Sequence, residues 1–131
     1  MHRLSPFALP LVVALLVGCG GGDDETSGSA SPEDALACIQ DGGLDATLQT
    51  VEDRVEGDPT AGISVTTGRP GSIDVSFFES SGDAQAFTDV QDQAAAAGLN
   101  SNDTQVVGTT AVSVYGNNVD AEDLDTVTGC L

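Results

Sequence analysis

Three cysteines, one histidine, 21 carboxylates and no lysine set the chemistry open to this chain. The histidine is His2, so everything beyond the first few residues lacks both an imidazole and an ammonium group. Ser-His-Asp and Cys-His nucleophile activation, imidazole metal sites, Schiff bases and the serine-lysine dyad each need one or the other. A carboxylate pair of the kind that cleaves glycosides remains open. With 21 acids such pairs arise by chance, however, and a sugar site also asks for aromatic platforms. Tyr115 is the only tyrosine, tryptophan is absent, and Phe77, Phe78 and Phe87 fall in core or hairpin patterns. Gly68-Arg69-Pro70-Gly71 is better explained as a turn than as a phosphate loop. The residue inventory argues against an enzyme and nominates no cofactor.

The acids offer a second chemistry, oxygen ligation of Ca²⁺ or Mg²⁺. Asp120, Glu122, Asp123 and Asp125 are close in sequence, but the EF-hand spacing is not met. Asp120 as a helix cap, with acids in the first turn, accounts for them without a metal. Asp23, Asp24 and Glu25 read as a solvated run. The formal net charge is -18, which excludes binding to a nucleic-acid backbone and means repulsion from an anionic bilayer surface. Of the three arginines, Arg54 is expected to pair with Glu52, Asp53 or Glu56. Arg69, at a hairpin tip, is the more exposed and the better anchor for a partner.

Cys19 has a different setting. His2 and Arg3 precede an apolar run from Phe7 to Val17, too short to span a bilayer as a helix, and Leu16-Val17-Gly18-Cys19 closes it. This stretch resembles the lipobox of bacterial lipoproteins, and the whole chain resembles their small type of uncharacterised function. The resemblance implies a signal peptide over residues 1–18, cleavage between Gly18 and Cys19, and a lipid on Cys19. It therefore implies attachment to the cell membrane at its extracytoplasmic face. Two or three acyl chains hold stably where one is marginal. Arg3 would leave with the signal, so two positive side chains would face 21 negative ones, a balance of -19. Residues 19–30 then read as a flexible acidic tether, with a root-mean-square span of roughly 17 to 20 Å.

With Cys19 lipidated, Cys38 and Cys130 remain. An exported chain with an even remainder is read as disulfide-bonded, and one pairing exists. A redox-active pair would normally sit as Cys-x-x-Cys, which these do not. Closing a loop of roughly 90 residues contributes about 4 to 5 kcal/mol in the chain-entropy model.

Residues 31–131 must supply the elements that position these groups. Ser31-Pro32-Glu33-Asp34 starts a helix and Gly42-Gly43 stops it, with Leu36 and Ile39 on one face. Asp45 to Val51 alternates as a strand, and Asp53 to Ala61, with Gly57 and Pro59, is a loop. Ile63–Thr67 and Ser72–Phe78 form a hairpin. A long helix runs from about Gly82 to Ala97, capped by Ser80 or Ser81. Its expected stripe is Ala84, Phe87, Val90, Ala94 and Ala97, with Gly98 left-handed at the end and Leu99 folding back on Ala94. Gln105–Val107 and Ala111–Tyr115 pair through Gly108, and a last helix starting near Asp120 presents Leu124 and Val127.

The expected order is α-β-β-β-α-β-β-α, a single α+β domain. It reads as a two-layer sandwich on a mainly antiparallel sheet, with the helices sharing one buried surface. The crossing through the long helix should be right-handed if it returns to a parallel neighbour. Three functions fit, in order: a membrane-anchored interaction or accessory module touching an envelope protein; a small-ligand or divalent-cation binding protein; and, least favoured, a carboxylate-pair hydrolase.

Overall fold

Ser31, Pro32 and the acids behind them open the first helix as the sequence predicts. In the computed structural model, which describes residues 30–68, 70–99 and 103–131, helix α1 spans Pro32–Asp41 and the Ser31 hydroxyl accepts from the Asp34 amide at 3.2 Å. It ends in a Schellman motif. Gly43 takes φ +89°, its amide bonds the Gln40 carbonyl, and Leu44 N–H returns to the Ile39 carbonyl. The same device closes α2, Ser81–Ala96, through Gly98 (φ +73°) and the bond from Leu99 N–H to the Ala94 carbonyl. The third helix, α3, is Ala121–Gly129.

Five strands lie between these helices: β1 Asp45–Thr50, β2 Ala61–Thr66, β3 Ser72–Phe77, β4 Asp103–Val107 and β5 Thr110–Tyr115. They form one antiparallel sheet in the order β1-β2-β3-β5-β4. The element order is the expected one and the fold is α+β. Strands β3 and β4 run parallel, but β5 is inserted between them, so the crossing through α2 does not return to a neighbour of β3.

Strand alternation assigns the faces. The register aligns Ala46, Val65, Ile73 and Val114 in one row and Leu48, Ile63, Val75 and Val112 in the next. Against these rows pack Ala35 and Ile39 of α1 and Val127 of α3, all fully buried. Together they make the two-layer sandwich that encloses the main core. Helix α2 does not share this surface. It lies on the other face, over β5 and β4, where Ala84 and Phe87 meet Phe78, Ala111 and Val106 in a second, smaller cluster.

The buried stripe of α2 also differs from expectation. Ala84 and Thr88 are buried, whereas Val90 is 61% exposed and Ala97 is exposed. Thr88 can be buried because its hydroxyl donates to the Ala84 carbonyl at 3.0 Å. Leu99 turns back only through its backbone, and its side chain stays 80% exposed. Among the described residues no helix is long and apolar enough to cross a membrane.

Candidate functional site

A hairpin between antiparallel neighbours needs two to five linking residues. Strands β1 and β2 are joined by ten, residues 51–60. This loop holds its own shape. The Asp58 carboxylate accepts from the Val55 amide at 3.0 Å, and the Asp58 amide donates to the Val55 carbonyl at 3.1 Å. Gly57 adopts φ +90°, which only glycine takes without strain. Thr60 ties the end of the loop to the sheet, its amide donating to the Phe77 carbonyl at 2.7 Å.

Arg54 fixes the loop from outside. It was expected to pair with an acid beside it in sequence; instead its guanidinium bonds Glu79, 25 residues away, at the junction of β3 and α2. Glu79 follows β3 directly, so the ion pair ties the loop to the junction of β3 and α2.

Between this loop and the flank of α2 lies a groove of about 420 Å³, lined by apolar Pro59, Ala86, Phe87 and Val90 and by the carboxylates of Glu56, Asp58 and Asp83. Phe87 is held in place by buried Phe78, their rings 5.4 Å apart. Asp83 belongs to the α2 cap: Ser80 Oγ accepts from its amide at 3.1 Å and donates to its carboxylate at 2.8 Å. At Glu56 the groove joins a second depression of about 300 Å³, lined by Arg54, Val55 and Glu79. Val55 stands 68% exposed beside it. The carboxylates of this lining retain acceptor capacity beyond their internal bonds.

The rest of the same sheet face is polar. One cross-strand row reads Thr47, Ser64, Asp74, Ser113 and Thr104. Ser64 donates to Asp74 at 2.9 Å, and the hydroxyls of Thr104 and Ser113 are 3.1 Å apart. At the end of β5, burial and then the Asp74 carboxylate push the Tyr115 phenol above its ordinary value, with the Ser113 hydrogen bond pulling the other way.

Of the residues singled out in the sequence, Cys38 and Cys130 come together: their sulfurs are at bonding distance and their Cα atoms 5.7 Å apart. Cys19, the lipobox, most of the acidic tether and Arg69 lie outside the described residues. Asp120, Glu122, Asp123 and Asp125 remain strung along the start of α3. Among the described residues no three His, Cys, Asp or Glu side chains are grouped to hold a metal ion. The groove itself was missed. Its available signal was a loop too long for its hairpin that carries Val51 and Val55 among acids, glycine and proline. Comparison with protein-family models, curated proteins and solved structures finds no match.

Proposed function

We propose that this protein is a lipid-anchored extracytoplasmic module that works by surface contact with another envelope protein rather than by catalysis. The observation that carries the reading is where the two ends of its architecture lie. Ala30 donates its amide to the Leu131 carbonyl at 3.3 Å and packs on the main core. The tether therefore joins the α1 and α3 layer, beside Cys130. The groove formed by residues 51–60 with α2, and the polar row around Asp74, belong to the opposite face of the sheet. A domain held through Cys19 leaves that face free for contact. Cys38 and Cys130 act as a structural disulfide in this oxidising compartment, binding α1 to the chain end nearest the tether.

Cell fractionation with crosslinking tests the proposal. The Cys19→Ala variant should leave the membrane fraction, and crosslinking on intact cells should capture an envelope protein with the native chain only. Retention of the variant in the membrane would overturn the anchor; capture of no specific protein by the native chain would overturn the contact role.

A further inference from the structure

We propose that the groove between residues 51–60 and α2 seats a cationic segment of the partner protein, one apolar side chain resting over Phe87 and Val90 with Lys or Arg on either side. This rests on the reading that the module works by contact, and adds the chemistry of what it contacts. Val55 and Val90 are the two most exposed valines in the described chain, at 68% and 61%, and both border this groove system. They are not stray surface residues on a slack loop. The Asp58 bond to Val55 and the Arg54 bond to Glu79 hold the loop in the shape that displays Val55.

Charge selects the occupant. Glu56, Asp58 and Asp83 line the groove together with Phe87 and Val90, Glu79 lines the adjoining depression, and Arg54, the only cation among the described residues, is already engaged by Glu79. A neutral apolar segment would cover these carboxylates without satisfying the acceptor capacity left beyond their internal bonds, at a desolvation cost. Lys or Arg supplies charge-assisted hydrogen bonds instead. A second copy of this chain is disfavoured because it brings the same excess of acids, at net -18. The chain's own Asp23-Asp24-Glu25 stretch is rejected on the same ground. The two depressions share Glu56, so the site is elongated and suits an extended segment better than a compact ligand.

The test uses the full chain in neutral maltoside micelles and a fluorescein-labelled pentapeptide, Lys-Arg-Leu-Arg-Lys, followed by anisotropy with protein-free micelles as blank. The Glu-Glu-Leu-Glu-Glu peptide should not bind. Glu56→Gln with Val90→Ser should weaken binding about fivefold or more. Glu33→Gln with Leu99→Ser removes one acid and one exposed aliphatic elsewhere, and should leave affinity within about 1.5-fold. Thermal melts establish that both variants fold. Equal weakening in the two variants, an unchanged groove variant, or no binding by the native chain would each overturn the proposal. Crosslinking of an envelope protein that persists in the groove variant would discard the groove while leaving the contact role standing. Groove-dependent peptide binding with no captured protein would do the reverse.

Discussion

Thr126 of α3 stands where a side chain on Gly42 would go: a Cβ on that glycine would lie 2.5 Å from the Thr126 methyl carbon. Gly42 has φ -71°, a backbone any residue accepts. Its role is therefore to let α3 close over the end of α1, and not to relieve a turn. Gly42→Ala should destabilise the domain by about 1 to 3 kcal/mol through overpacking. Thr126→Ser removes the methyl, so the double variant should recover most of that loss. Urea denaturation of the four proteins gives the coupling energy, and additive effects would contradict this contact.

Arg54 and Glu79 are both substantially exposed, so their ion pair adds little to global stability, about 0 to 1 kcal/mol. Its effect is local. In Arg54→Met the melting temperature should hardly move, while amide exchange at Val55 to Asp58 accelerates. Unchanged exchange there would mean that the internal Asp58 bonds alone hold the loop.

Cys38 and Cys130 are 92 residues apart in sequence, so a bond between them constrains nearly the whole domain. Replacing both with Ser should cost about 4 to 5 kcal/mol on the chain-entropy estimate, less if the unfolded chain is compact. Because the bond fastens the residue following α3 to α1, amides of α3 should exchange first in the variant. Non-reducing mass analysis should find no free thiol at either position, and two titratable thiols would remove the bond.

Tyr115 makes stability depend on alkaline pH. Its native pKa is raised above the ordinary 10.0, by burial first and then by Asp74. The native state therefore holds this proton more tightly than the unfolded chain. The resulting stabilisation is complete below the unfolded pKa and disappears as pH climbs through the native one. The urea midpoint should fall as pH rises above the ordinary value of 10.0, and fall less in Tyr115→Phe. An identical decline in the two proteins would assign the effect to other groups.

The sequence by itself determined what is encoded within a few residues. Ser31, Gly43 and Gly98 mark helix ends through bonds, their own or the next residue's, to partners three to five positions away, Pro32 does so through its fixed φ, and those bonds form as the local pattern dictates. Alternation at Ile63 and Val65, and again at Ile73, Val75 and Phe77, fixed the strands and the side on which the main core would form. What only the tertiary structure decided were choices among nearly equal local options. The alanine-rich surface of α2 offers more than one stripe of similar apolarity. The helix turned Thr88 inward and Val90 outward, and the threonine tolerates burial because its hydroxyl finds its bond within the helix. Arg54 had three acids beside it in sequence and bonded a fourth, since proximity along a folded loop says little about direction in space. The groove follows from both outcomes. It exists because α2 crossed to the second face of the sheet and the β1–β2 loop reached it there, a meeting of segments too far apart in the chain for any local pattern to register.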